Sequence, residues 1–249
     1  SWTALQASVG AVEVKGIPGL KLAVTDFGLE VNLEASDETV IDFSTTAYTI
    51  PTGPNKNETI DLDADFGEII QASGSLELNL LDFFVVTGDF AFVSRSDTVK
   101  VGTSTVDVDV MTVGASNVNA FAGVNEVGFE LIDAGFALGV FSEKAGSRSW
   151  VALQATVGSA SFEGIPSFTF EVNDIKVVIN TPADDDSLID FSANPMDILV
   201  GPGAHVRFDM AGVDSIAVRA SLVIDVAGFV TLRGTFGFSI ETIDSVQYL

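Results

Sequence analysis

Apolar and polar residues alternate along almost the entire chain. In Leu222–Ile240 the residues Leu222, Ile224, Val226, Val230, Leu232, Phe236, Phe238 and Ile240 fall on one side, and Val223, Asp225, Thr231, Arg233, Thr235 and Ser239 fall on the other. Successive side chains of an extended chain point to opposite faces, so this pattern predicts strand structure with one buried apolar face and one more polar face. The run is longer than an ordinary strand, and Gly228 is the place for it to reverse. Residues 76–92 follow the same pattern through Leu76, Leu78, Leu80, Phe84, Val86, Phe90 and Phe92, with Asp82 standing where Gly228 stands. Asp and Gly share a tolerance of turns, which places a reversal there too.

Further strands are predicted over Trp2–Val14, Leu20–Leu33, Thr59–Ala64, Ile69–Leu80, Phe83–Val93, Val99–Val113, Asn117–Val124, Val127–Ile132, Phe136–Phe141 and Phe168–Asn180. Gly16-Ile17-Pro18-Gly19 reads as a turn, while Pro51–Asn57 and Asn194–Gly203 read as loops rich in Pro, Gly and Asn. Arg95-Ser96-Asp97 and Glu143–Gly146 read as short connections, which suit antiparallel neighbours and leave no room for a helical crossover. Val101–Ala120 has no 3.6-residue stripe and is dominated by β-branched residues, so no helix is expected.

The chain also states its opening twice. Ser1–Ser44 lies over Ser149–Ser192 without a gap, with about 20 of 44 pairs identical. Ser1-Trp2 matches Ser149-Trp150, Gly16-Ile17-Pro18 matches Gly164-Ile165-Pro166, and Ile41-Asp42-Phe43-Ser44 matches Ile189-Asp190-Phe191-Ser192. The expected organisation is a full β repeat over 1–148 and a partial second one over 149–249, cut from a longer tandem array. The expected fold is all-β, a continuous antiparallel meander with long strands, coiled into an elongated, solenoid-like rod. A sandwich or barrel per repeat is the alternative. Only Ser147-Arg148 separates the end of one repeat at Gly146 from Ser149, too little for a flexible linker, and this favours the rod.

Composition narrows the function classes. There are 35 acidic residues against 11 Lys and Arg, for a formal net charge of −24. Such a field repels nucleic acid and anionic bilayers while keeping an apolar chain (mean hydropathy +0.41) in solution. There is no cysteine, which removes disulfides, thiolate metal sites and cysteine nucleophiles. No apolar run is long enough for a membrane-spanning helix.

The succession Val113-Gly114-Ala115-Ser116-Asn117-Val118-Asn119-Ala120-Phe121-Ala122-Gly123-Val124, Gly135-Phe136-Ala137-Leu138-Gly139-Val140-Phe141, a Trp-Xaa-Ala-Leu strand, the Gly-Ile-Pro turn and Gly228–Phe238 resembles repeats of very large, repeat-rich bacterial surface or secreted proteins. What the resemblance implies is a giant extracellular protein of adhesin or matrix type, with no catalytic residues to carry over.

Candidate chemistry is sparse. Asp61, Asp63 and Asp65 are spaced like the start of a calcium loop, but the glycine comes one place late and Ala72 occupies the position of the closing Glu. Asp184, Asp185 and Asp186 form an acidic cluster on a turn after Pro182, and Ser36-Asp37-Glu38 is its counterpart. Weak Ca²⁺ binding is the expectation at these turns. His205 is the single histidine, which leaves no histidine pair for a metal, and an enzyme is not expected.

The expected function is therefore a structural or adhesive tandem repeat of an extracellular assembly. Its partners would be neighbouring repeats or identical chains, met through β-sheet edges, with a cell-surface or matrix partner beyond them. A carrier of apolar ligand in a Phe- and Leu-lined β interior is the alternative. An outer-membrane barrel is disfavoured, because Asp225 and Glu171 are expected mid-strand on the face that would meet lipid.

Overall fold

The structure is a computed structural model that describes residues 1–243 and 246–248. Among these residues there is no helix. Fifteen strands form in order: β1 (Thr3–Val14), β2 (Leu20–Leu33), β3 (Tyr48–Gly53), β4 (Lys56–Ile60), β5 (Ile69–Leu80), β6 (Phe84–Val101), β7 (Ser104–Val124), β8 (Val127–Glu143), β9 (Ser149–Glu163), β10 (Phe168–Thr181), β11 (Met196–Gly201), β12 (Ala204–Phe208), β13 (Asp214–Val226), β14 (Val230–Ile243) and β15 (Val246–Tyr248). Eleven of them build one antiparallel sheet in the order β1-β2-β5-β6-β7-β8-β9-β10-β13-β14-β15. The sheet is an open meander, not a barrel: β1 lies at one margin and β15 at the other. The two remaining pairs, β3–β4 and β11–β12, are separate hairpins.

The turns follow from local chemistry. The predicted reversals at Asp82 and Gly228 are present as three-residue connections closed by Leu80↔Phe84 and Val226↔Val230, in which Leu81 and Asp82, like Ala227 and Gly228, adopt positive φ. Asp26 and Asp174 occupy equivalent bulges with φ of 51° and 53°, where a short polar side chain tolerates the left-handed region.

Several boundaries differ from the sequence reading. Arg95-Ser96-Asp97 is not a connection but the middle of β6, which continues to Val101 and turns at Gly102. Its polar side chains are accommodated because Arg95 donates to Asp97 (2.8 Å) and lies over the Phe66 ring. The two strands expected over 99–124 are one, with bulges between Ala115 and Ala120, and Val127–Ile132 and Phe136–Phe141 join into β8 through Asp133 at φ 52°. The expected loops Pro51–Asn57 and Asn194–Gly203 are hairpins, with turns at Asn55 and Gly203, both at positive φ. The strand expected over Thr59–Ala64 ends at Ile60, so Asp61, Asp63 and Asp65 lie in irregular chain rather than along a strand.

Register assigns the two sheet faces, because directly paired residues project to the same side. One face carries Val31, Ile70, Phe92, Val113, Leu138, Leu153, Val177, Val218 and Phe238. The opposite face carries Ser73, Ser75, Asp89, Thr156, Lys176 and Arg219 over much of its area. The alternation thus sorts side chains as expected, but burial is reversed from the expectation. The apolar face is only half-buried at Phe90, Phe136 and Leu153, and exposed at Phe129, Phe236 and Phe238. The densest core lies on the other face. There Val99, Val108 and Val110 (β6 and β7), Phe141 (β8), and Trp150 and Ala152 (β9) are capped by Ile189, Phe191, Met196, Ile198, Val200 and Phe208 from the excursion between β10 and β13. Phe191 sits between Phe141 and Phe208 with ring centroids 5.5 and 5.3 Å away.

That excursion reaches backwards along the chain. Hairpin β11–β12 and its flanking loops leave β10 and fold over β6–β9, and Asp190 N–H donates to Lys100 C=O at 2.8 Å.

Candidate functional site

Three places have the character of a working surface: the open apolar face, a cleft beside hairpin β11–β12, and the junction between the two copies of the repeated segment. Eleven strands at about 4.8 Å spacing make the apolar face roughly 48 Å across. The chain exposes 14398 Å², against about 10,500 Å² for a compact monomer of its mass. The excess is what an uncapped sheet leaves in water. Chemically this face can adsorb acyl chains or another apolar sheet.

Asp225 and Glu171 do not interrupt it. Asp225 pairs with Thr169 and Thr231, and Glu171 with Ser161 and Val223, so both carboxylates project to the polar face. This agrees with the alternation that groups Asp225 with Val223 and Thr231, and it overturns the argument that set both acids mid-strand on the face that would meet lipid. Asp225 accepts from Thr231 Oγ1 (2.7 Å) and from the Gly228 N–H (3.0 Å), and these bonds, the threonine's first, hold its carboxyl below the usual range.

A cleft of about 730 Å³ opens between hairpin β11–β12 and strands β6 and β7, lined by Phe66, Val93, Arg95, Asp97, Met196 and His205. Arg95 is committed to Asp97 and, 4.8 Å away, to the Phe66 ring, so the cleft presents a neutralised pair rather than a free cation. His205 is exposed at its mouth.

The acidic candidates are engaged locally. Asp61 exchanges two hydrogen bonds with Gln6: its Oδ1 accepts from Nε2 at 2.8 Å, and its N–H donates to Oε1 at 3.1 Å. Asp63 accepts from the Asp65 N–H at 2.8 Å. Asp185 accepts from Ser187 Oγ and N–H, and these bonds lower its pKa, with Arg148 adding to the effect. Asp184 is exposed on the same turn, and Asp186 adopts φ 62°. Among the described residues no three His, Asp or Glu side chains converge as a metal centre.

At the junction, Arg148 chelates Glu143 through Nε–Oε2 (2.9 Å) and Nη2–Oε1 (2.7 Å). Its guanidinium lies 5.2 Å from the Trp150 ring centroid and 3.8 Å from Asp185. The hydrogen bonds to Arg148 hold the Glu143 carboxyl below its usual range. Arg148 therefore ties the end of β8, the start of β9 and the acidic turn together. The sequence reading passed over it as part of a connector.

Gly114 and Gly139 were likewise visible only as members of a phrase. A Cβ on Gly114 would lie 2.3 Å from the Leu199 carbonyl and 2.6 Å from Val200 Cα, and one on Gly139 would lie 2.6 Å from the Phe141 ring. Gly114 lets the hairpin backbone approach the sheet, and Gly139 leaves room for the rings of Phe141 and Phe208. Isolated glycines in strands are the signal that marks such an approach.

No family model, curated protein or solved structure matches this chain.

Proposed function

We propose that the chain is a structural repeat of an extracellular bacterial surface protein or filament, and that its activity is to build length by extending one sheet from repeat to repeat. The observation that carries this reading is the pairing of β8 with β9. It runs from Gly128↔Glu163 to Ser142↔Ser149 and passes from the residues before position 149 to those after it without a break in the sheet. Acidity, the absence of cysteine and the resemblance to large surface proteins support the extracellular part of this reading. Each repeat adds six strands to the sheet (β1, β2, β5, β6, β7 and β8 in the first), so arrays of two, four and six repeats should lengthen by about 29 Å per repeat. Electron microscopy of such arrays measures this directly. A particle whose diameter grows as the cube root of repeat number would overturn it.

The open apolar face supports a second reading, a carrier of lipid or other apolar ligand laid along the sheet. Native protein extracted with organic solvent and found free of lipid argues against that reading.

A further inference from the structure

The repeated segment has two copies of the capping device, and only one of them is seated. Loop and hairpin correspond residue by residue at a spacing of 148: Tyr48↔Ile60 pairs as Met196↔Phe208, Thr49↔Thr59 as Asp197↔Arg207, and Gly53↔Lys56 as Gly201↔Ala204. The side-chain anchors correspond too. Asn32 Nδ2 donates to Ile41 C=O (2.9 Å) as Asn180 Nδ2 does to Ile189 C=O (3.0 Å), and Asp42 accepts from Ser44 as Asp190 does from Ser192. The surroundings do not correspond. Trp150 is 1 % exposed and Trp2 50 %; Ile198 is 1 % exposed and Ile50 38 %; Met196 is 6 % exposed and Tyr48 61 %. Ile41 is exposed where Ile189 is buried. The cause is plain in the topology. Hairpin β11–β12 rests on β6–β8 and β9 pairs with β8, whereas β1, the equivalent of β9, is a sheet margin with its outer N–H and C=O groups unpaired.

We infer that the margin of β1 and the underside of hairpin β3–β4 form a docking site for a second copy of the β6–β8 face of this same repeat, seated as β6–β8 is seated against β9 and β11–β12. The inference rests on the reading of the chain as a tandem repeat and names the surface through which repeats join. The established interface gives the register: the partner copy's Phe141 position falls opposite Trp2, its Val140 opposite Thr3 and its Gly139 opposite Ala4, as Phe141, Val140 and Gly139 fall opposite Trp150, Val151 and Ala152. The glycine at the copy's position 114 lies under β3, where the hairpin backbone needs the space. Thr52, Lys56 and Glu58 stand where Val200, Ala204 and Val206 stand, so the tip of β3–β4 remains wet and the apolar contact concentrates on Trp2, Ile41, Tyr48 and Ile50.

The test extends the full chain at its N-terminus by a second copy of residues 84–148, which recreates the Gly146-Ser147-Arg148 junction before Ser1 and contributes no tryptophan. Trp2 and Trp150 are labelled with 5-fluorotryptophan, and the solvent isotope shift of each fluorine line reports its exposure. In the unextended chain the exposed Trp2 is expected to shift strongly and the buried Trp150 is not. In the extended chain the Trp2 line is expected to lose its shift and match Trp150, and valine at the added copy's Gly114 position is expected to restore part of it. A Trp2 line that keeps its full shift overturns the inference, whether hydrogen exchange finds the added strands ordered or not, since a fitting surface would order them. The outcome is separable from the array measurement. Arrays that lengthen with Trp2 exposed sink this docking mode alone, and protected Trp2 in compact arrays sinks the length-building reading alone.

Discussion

Asn180 shows how much one side chain settles in this fold. It is buried, and its Nδ2 donates to Ile189 C=O and to Ala211 C=O (3.1 Å), which pins both ends of the capping excursion to β10. Replacing it with alanine strands two carbonyls in an apolar site, at about 1–3 kcal/mol for the desolvated acceptors. Asn180→Ala should lower stability by about that amount in urea unfolding, and more than Asn32→Ala, because Asn32 holds a single carbonyl beneath an uncapped margin. Equal losses at the two positions would contradict this account. The repeated Asn-(8 residues)-Ile-Asp-Phe-Ser phrase was legible as a recurrence in the sequence. Its purpose was not, since an Asn within an apolar strand reads equally well as a polar-face residue. Asp42 and Asp190 were similarly visible only as acids in a chain full of acids. Ser44 and Ser192, each donating through N–H and Oγ, make them turn anchors.

The hairpins decide where the core forms. Val93, Val110 and Phe141 share the more polar face by alternation, yet they are buried because β11–β12 covers them. The close approach depends on Gly114, over which the Leu199 carbonyl and Val200 Cα lie, with Ser116 Oγ donating to Val200 C=O (3.2 Å). Gly114→Val should lift the hairpin without breaking the sheet. Hydrogen exchange should show lost protection at 196–208 and retained protection in β7 and β8, with increased binding of a hydrophobic dye. Unchanged protection across the hairpin would mean that the backbone is not held there by the glycine. A strand-by-strand reading could not have placed this core. Hairpins whose strands have only six and five residues, joined by Gly-Pro turns, look like loops, and their apolar residues acquire meaning only when set over a face fixed by other strands.

Across the whole molecule, the acidic surface and the uncovered apolar face oppose each other. At neutral pH the net charge of −24 keeps chains apart; towards the isoelectric point of about 4.1 that protection is lost. The folded state responds to acid in two directions. Asp42, Asp185, Asp190, Asp225 and Glu143 have pKa values depressed by hydrogen bonds to the charged carboxylate, each from a named partner: Ser44, Ser187, Ser192, Thr231 and Arg148. Their contribution is present above the unfolded carboxylate values and is lost as pH falls through the depressed folded values. Glu30 has a raised pKa, from burial first and from Asp61 second, and opposes them by favouring the fold as it protonates. Tm should therefore hold or rise slightly as pH falls from 7 to about 5, where repulsion eases, and then drop below about pH 4 as five paired carboxylates protonate. Calorimetry across that range checks this, and a Tm still climbing at pH 3 would show that repulsion outweighs the paired carboxylates.

The sequence by itself determined the secondary structure class, the reversals at Asp82 and Gly228, the spacing of the repeated segment and the sorting of side chains onto two faces. These are local properties, set by alternation with period two and by residues that tolerate positive φ. Only the tertiary structure decided which face is covered, that the meander stays open, and that one of two equivalent hairpins is seated while the other is bare. Those outcomes depend on contacts between residues tens of positions apart. The same phrase folds into the same hairpin in both copies, and what it buries depends on whether β6–β8 lies beneath it.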